Sequence, residues 1–455
     1  MKTDGATRWL PWLIAAVGFA LDCAAWWPGQ MSFDSAYTWW QARGGATTDI
    51  APPMLIFVWR ALDAVHEGPG LVFLLHLALI WSGLALFAGA FRIGALRMFT
   101  LMIIVGFAPV PWLLRGHVWT DVALLSSLLF VAGALARVHA GGRRLWLIGA
   151  LPVLFYASAV RHNALPAVLP FAIWFAWLAD GGPERAPRRA RIAGATIALC
   201  AVFAAGTAIV NAQVDRRVTL WPATAEWDLA AISIASGEML LPPFMIGPGL
   251  DVPELAAAFR DWSITPMLQN TQHGMRDPFM EDFTPEQLAA LRRAWFDAIA
   301  DHPGAWLAHH WRQARALLGV HDETWPRELI YVDDEFQYRD NPPVARNTSA
   351  LHKALMRGAA ALATSPVLAG WPYLAIGLIA VPAAWRRRDE LAGASALALL
   401  ASAWLYLAPL LVLVPAELRY LGWSCLASVA AAASAWLAPA NAPDKLGHTP
   451  SGIRG

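Results

Sequence analysis

Read for hydrophobic and polar positions alone, the chain breaks into long apolar runs separated by shorter charged stretches. Taking about 20 apolar residues as one membrane crossing, the pattern predicts ten helices, over residues 9–27, 70–91, 98–114, 118–136, 145–160, 164–179, 192–212, 367–384, 393–414 and 420–438. The charged stretches alternate in kind. Arg92 and Arg97, then Arg137, Arg143 and Arg144, then Arg185, Arg188, Arg189 and Arg191, and finally Arg386, Arg387 and Arg388 fall in every second loop, on the side of Lys2 and Arg8. Because basic loops stay on the cytoplasmic face, both termini are predicted to be cytoplasmic and the other loops to face outward. The first run ends on Trp26-Trp27-Pro28 without a small-residue cleavage site, so it reads as an uncleaved span and not as a signal peptide.

One outward connection is far longer than the others. Residues 213–366 contain no spanning run and are predicted to form a mainly helical extracytoplasmic domain between the seventh and eighth spans. It divides the chain into spans 1–7 within residues 1–212, the domain, spans 8–10 within 367–438 and a polar cytoplasmic tail over 439–455. Inside the domain, Thr284-Pro285-Glu286-Gln287 is a capping box with Pro in the first turn, followed by a stripe of Leu288, Leu291, Trp295 and Ile299. A second amphipathic helix is predicted after Pro303, with Leu307, Trp311, Ala314 and Leu318 on its apolar face and Gly319 ending it. The Pro-rich stretches 242–253 and 340–344 read as ordered loops.

Composition sharpens this picture. Of 455 residues, 57% are hydrophobic and only 15% charged, with a mean hydropathy of +0.44; soluble domains carry about 25% charged residues. An all-α polytopic protein of an inner (plasma) membrane is the class that fits. The 25 Trp residues suit anchors at the boundary between acyl chains and headgroups. Net charge is +1, and the Arg residues sit in short clusters, which leaves no broad cationic face for a nucleic acid. Cys23, Cys200 and Cys425 each lie inside an apolar run, so neither a disulfide framework nor a Cys-based metal site is predicted.

Ionisable groups against the hydrocarbon are costly, so their placement carries the functional information. Four sets stand out, all at predicted outer ends of spans: Pro28 to Ser35 with Asp34, followed by Pro52-Pro53 and an amphipathic run from Met54 to Val65; Arg115-Gly116-His117-Val118-Trp119-Thr120-Asp121; Arg161-His162-Asn163; and Glu417-Leu418-Arg419-Tyr420. Carboxylates beside guanidiniums at headgroup depth suit a glycosyl-phosphate lipid. Its leaving group is already a stabilised anion, so sugar transfer needs Arg to hold charge more than it needs a protonating acid. The attacking hydroxyl does need a base, which Asp34 first and Asp121 second are placed to supply, directly or by holding a divalent ion.

The Pro28-Gly29 turn with Phe33-Asp34-Ser35, the Pro-Pro pair, Trp119-Thr120-Asp121, Arg161-His162-Asn163 and Arg419-Tyr420 together resemble the integral-membrane GT-C glycosyltransferases, over most of the chain. The resemblance implies a polyprenyl-phosphate sugar donor and a glycan, lipid or protein acceptor, with transfer by inversion at the outer face. It also implies an essential Asp in the first outer loop, here Asp34, and a second acid in the next, here Asp121. Substrate contacts would come from Arg161, Arg419, His162, Asn163, Tyr420, Arg115, His117 and Glu417. No cofactor is required on this reading, with room for a divalent metal. Where many members have His before the Pro-Pro pair, this chain has Ala51.

Each residue also has a plainer reading. Asp34 is placed to cap a helix, Asp121 to complement a helix dipole, Arg115, Arg161 and Arg419 to anchor lipid headgroups, and Tyr420 to join an aromatic belt. Asp22 is expected to snorkel or to pair with an Arg. His309 and His310, adjacent on one helix, are expected not to face one metal, and Asp333-Asp334-Glu335 reads as a solvated acidic run. Asn347-Thr348-Ser349 is a sequon that carries little weight. Two other classes remain open on the sequence: a transporter or flippase for lipid-linked sugars, and a non-catalytic partner in envelope synthesis.

Overall fold

The computed structural model describes residues 5–320, 337–413 and 415–438; Lys2, the Asp333 to Glu335 run and the 439–455 tail lie outside them. About 70% of the chain is helical, and no strand occurs among the described residues. The order is α1 (Gly5–Trp26), α2 (Phe33–Ala42), α3 (Met54–Asp63), α4 (Gly70–Ala90), α5 (Ala95–Gly106), α6 (Pro109–Leu114), α7 (Thr120–His139), α8 (Leu145–Ala159), α9 (Leu165–Ala179) and α10 (Arg189–Asn211). There follow α11 (Trp221–Ser236), α12 (Val252–Ala258), α13 (Thr265–Asn270), α14 (Pro285–Asp301) and α15 (Pro303–Leu318). The chain then runs through α16 (Ala350–Leu362), α17 (Trp371–Arg386), α18 (Leu391–Leu413), a 3-10 turn at Leu418–Leu421 and α19 (Gly422–Leu437).

Among the described residues six segments are helical, long and apolar enough to cross a membrane: Trp9–Trp26, Gly70–Ala90, Thr120–His139, Arg189–Asn211, Leu391–Val412 and Leu418–Leu437. The other four predicted spans are shorter helices. Residues 98–114 are split between α5 and α6, because Pro109 and Pro111 cannot continue the hydrogen-bond ladder of α5 and open a new turn instead. The 145–160 and 164–179 runs become α8 and α9 at 15 residues each, and the 367–384 run becomes α17, which starts only at Trp371.

The bundle is held by close approach of small residues and by hydrogen bonds between helices, as expected where lipid offers no hydrophobic contrast. A Cβ on Gly133 of α7 would lie 2.2 Å from the Gly83 carbonyl oxygen of α4, so only glycine permits this crossing. Ser402 of α18 donates to the Ala167 carbonyl of α9 at 2.6 Å and accepts from the Trp423 indole of α19 at 2.9 Å. In contrast, α10 is largely uncovered, with Ile197, Val202 and Ile209 all exposed.

Residues 213–320 build a second core around Trp227, Ile232, Met245, Leu255, Met267 and Leu291. The capping box at Thr284 and Gln287 forms as predicted, the Gln287 N–H donating to Thr284 Oγ1 at 3.2 Å and the Thr284 N–H to Gln287 Oε1 at 3.0 Å. Leu291, Trp295 and Ile299 of the α14 stripe pack inward on this core. The predicted face of α15 does not: Leu307 and Trp311 are exposed, while His309, His310, Gln313 and Leu317 are buried. The polar face turns inward because it meets acidic partners from distant segments. Gly319 ends α15 in the left-handed region as expected, at φ 74°.

Candidate functional site

The first loop is fastened to the segment before α7. Gly29, at φ 106°, sits where a Cβ would come 2.8 Å from Val118. The Gln30 N–H donates to the Gly116 carbonyl at 2.8 Å and the Val118 N–H to the Gln30 carbonyl at 3.2 Å. Ser32 caps α2 and accepts from the Trp119 indole at 2.7 Å; Ser35 Oγ donates to the Val118 carbonyl at 2.9 Å. These bonds place Asp34 in the first turn of α2, directly beside the start of α7, whose own first turn carries Asp121.

Two further segments complete the cluster. Arg161, at the junction of α8 and α9, forms an ion pair with Asp121. Arg419, in the 3-10 turn before α19, forms ion pairs with both Asp34 and Glu417. The guanidiniums share an aromatic surface: Arg161 lies 4.9 Å from the Tyr420 ring centroid, and Arg419 lies 5.2 Å from those of Tyr420 and Trp119. Tyr406 of α18 is buried beside Arg161. Burial raises the Glu417 carboxyl above the usual carboxylate range; Arg419 opposes this, while Asp34 and Asp121 add to it. Exposure separates the two Asp residues, whose side chains are 52% and 4% exposed for Asp34 and Asp121 respectively. Asp34 is therefore open to solvent, whereas Asp121 is enclosed against Arg161.

The remaining predicted residues divide. Asn163 Oδ1 accepts from Arg161 Nε at 3.4 Å and so helps set its orientation. His162 Nε2 turns to the Asp49 carbonyl at 2.9 Å, at the edge of the cluster. His117 is buried with its ring stacked on Trp119 at 3.9 Å, behind the aromatic surface and not within it. Arg115 lies elsewhere. It is buried in the bundle, 2.9 Å from Asp22, which also accepts from the Trp81 and Trp112 indoles at 2.7 and 2.8 Å, and it donates to the Gly106 carbonyl at 2.6 Å. The pairing expected of Asp22 is thus made with Arg115, and the geometry gives Arg115 no place among the charged groups at Asp34. Asn347 likewise has an internal partner, donating to the Ala24 carbonyl at 3.0 Å.

A cleft of about 250 Å³ opens beside this cluster, lined by Ser158, Arg161, His162, Phe203, Thr207 and Asn211. It lies between the α8/α9 junction and the uncovered α10, so its wall combines the Arg161 guanidinium with polar and apolar side chains of α10.

Sequence reasoning missed two features. Trp119, which the sequence marks only within the Trp119-Thr120-Asp121 motif and without a role of its own, is part of the site as the platform under Arg419. The second is a group of Asp228, His309 and His310, all buried, whose side chains lie together in the 213–320 region. Adjacency on a helix does not keep the two imidazoles apart, contrary to expectation, because both bend toward one carboxylate from the neighbouring α11. These three residues are suited to hold a metal ion.

Fold and cluster define a membrane protein, all-helical among the described residues, that gathers carboxylates and guanidiniums where α2, α7, α9 and α19 begin and where α8 and α18 end. No protein-family model, curated protein or solved structure matches the chain.

Proposed function

We propose that this chain is an integral-membrane glycosyltransferase of the GT-C kind, moving a sugar from a polyprenyl-phosphate carrier to an acceptor hydroxyl at the outer face of the membrane. The reading includes ten crossings, the shorter helices among them, cytoplasmic termini and an extracytoplasmic 213–366 domain covering the site. The observation that carries it is the meeting of Asp34, Asp121, Arg161, Glu417 and Arg419, drawn from four remote segments into one cluster beside a cleft that Arg161 shares with Phe203 of the uncovered α10.

In this reading the isoprenoid lies against α10 and its phosphate reaches Arg161 and Arg419. The phosphate competes with Asp34 for Arg419, so donor binding frees the Asp34 carboxylate as it fills the guanidinium. Asp34 then takes the proton from the acceptor hydroxyl while the acceptor oxygen bonds to the anomeric carbon. The bond from that carbon to the phosphate oxygen breaks, its electron pair leaves with the polyprenyl phosphate, and the two guanidiniums stabilise the charge. A single displacement inverts the anomeric centre.

The test is turnover of a polyprenyl-phosphate sugar by purified protein in detergent. Asp34→Asn is expected to lower kcat by at least about 100-fold, the range of a lost general base, with folding and abundance unchanged. Full activity in that variant, or movement of an unaltered labelled lipid-linked sugar across sealed vesicles, would overturn the reading in favour of no role for Asp34 or of a transporter.

A further inference from the structure

We infer that Asp228, His309 and His310 form a divalent transition-metal centre, zinc being the ion its donors match best. The inference does not depend on the glycosyl-transfer reading.

The hydrogen bonds around the three side chains fix which atoms face the centre. His309 Nδ1 lies 3.2 Å from Asp261 Oδ1, and a carboxylate can only accept, so the proton of that imidazole sits on Nδ1. His310 Nδ1 lies 2.8 Å from Gln313 Oε1, which fixes the same tautomer. Asp228 Oδ2 accepts from the indoles of Trp295 and Trp306, both at 2.9 Å, and this aims Oδ1 in the opposite direction. What remains is His309 Nε2, His310 Nε2 and Asp228 Oδ1. All three are buried, and none has a hydrogen-bond partner among the described residues.

With both imidazoles in their neutral form, three atoms that offer lone pairs converge, within 4.8 Å of one another. Asp228 Oδ1 is 3.2 Å from His310 Nε2 and 3.7 Å from His309 Nε2. Ligands about 2.0–2.2 Å from a tetrahedral zinc stand about 3.3 Å apart, so the edge from Asp228 to His310 already has the required length and the edge to His309 is somewhat longer. A single extra proton would relieve one of these contacts, whereas one divalent ion relieves all three. The surroundings have the form that orients metal ligands elsewhere: a carboxylate and an amide oxygen hold the distal imidazole N–H groups, and two indoles hold the ligating carboxylate. Two imidazoles and one carboxylate, closed off from solvent, suit zinc with a water completing its shell.

Its place in the fold indicates a holding role. The ion would join α11 to α15, with α14 attached through Trp295. Asp261, which orients His309, precedes Trp262, whose carbonyl accepts from the Ala416 N–H at 3.0 Å, next to Glu417. The centre is thus tied to the wall that carries Arg419 without contributing to the cluster at Asp34.

The experiment uses the full chain in detergent, purified through a tag free of His, loaded with Zn²⁺, freed of excess by gel filtration and analysed by elemental mass spectrometry. About one zinc per chain is expected. Asp228→Asn keeps an oxygen for the indoles and supplies an amide N–H to an imidazole, so it should fold yet hold at least tenfold less metal. Chelation should lower the Tm of the native chain, and added Zn²⁺ should restore it, with neither effect in Asp228→Asn. Co²⁺ titration of the native chain, which involves no variant, should develop the visible d–d absorption of a four-coordinate ion. A folded native chain that retains no metal after loading and gives no such absorption overturns the proposal, as does equal metal content in Asp228→Asn.

Discussion

Asp34 and Arg419 are 385 residues apart in sequence and form an ion pair in the folded chain. The same guanidinium pairs with Glu417 and rests against the rings of Trp119 and Tyr420. Arg419 therefore serves two carboxylates and two aromatic faces at once, a combination that needs a planar, forked cation. Arg419→Lys keeps the charge and loses that shape. In a transfer assay it is expected to raise the donor KM about tenfold or more and to lower kcat as well; a variant with native kinetics would show that Arg419 is merely a headgroup anchor.

Glu417 competes with any anionic ligand for Arg419, and its carboxyl is raised by burial. It therefore takes up a proton at a higher pH than an ordinary carboxyl, and on doing so gives up its hold on the guanidinium. Donor KM should fall as pH is lowered through this protonation. If the proposed transfer holds, Glu417→Gln should show the low KM throughout and no such step, so that the ratio of the two proteins' KM values, measured across pH, isolates Glu417 from the titration of the donor phosphate. A constant ratio would refute the competition.

Asp121 and Arg161 form a nearly enclosed pair, with side chains 4% and 13% exposed. Removing one partner strands the other charge. Asp121→Asn is expected to destabilise the protein by about 3 kcal/mol or more, while the double variant Asp121→Asn with Arg161→Gln is expected to recover part of that loss, because no unpaired charge remains. Thermal unfolding in detergent measures both. An additive double variant would mean that the two side chains are not energetically coupled.

How far this arrangement is legible in the sequence follows from what each signal depends on. The loop ends that carry Asp34, Asp121, Arg161 and Arg419 lie side by side because helices of a bundle turn back at its ends, and apolar run length locates those turns. Run length does not locate breaks within an apolar segment: Pro109 and Pro111 divide residues 98–114, although every neighbour is hydrophobic. Nor does an apolar stripe decide which helix face is buried when the opposite face finds charged partners. In α15, Leu307 and Trp311 face out since His309 and His310 meet Asp228, and His309 also Asp261, residues at least 48 positions away with no local mark of the encounter. Which Arg pairs with Asp22 is hidden for the same reason, since Arg115 is 93 residues away and the indoles that complete the pair come from α4 and α6.

Glu226 of α11 is another group that sequence alone did not single out. It is fully buried, and neither carboxyl oxygen has a hydrogen-bond partner among the described residues. Burial raises its carboxyl well above the usual range, and nearby Asp277 and Glu281 push the same way. The folded chain then holds a proton that the unfolded chain has released, over the interval between the ordinary carboxyl value and the raised one. Stability must fall as pH rises through that interval, by up to about 1.4 kcal/mol per pH unit for one proton, and level off above it. Glu226→Gln carries a neutral side chain of nearly the same shape in both states, so it removes this contribution. The variant should have a higher Tm than the native chain near pH 8 and a smaller difference near pH 5. Parallel Tm profiles for the two proteins across this range would mean that Glu226 is ionised in the folded state, with a cation at hand to compensate it.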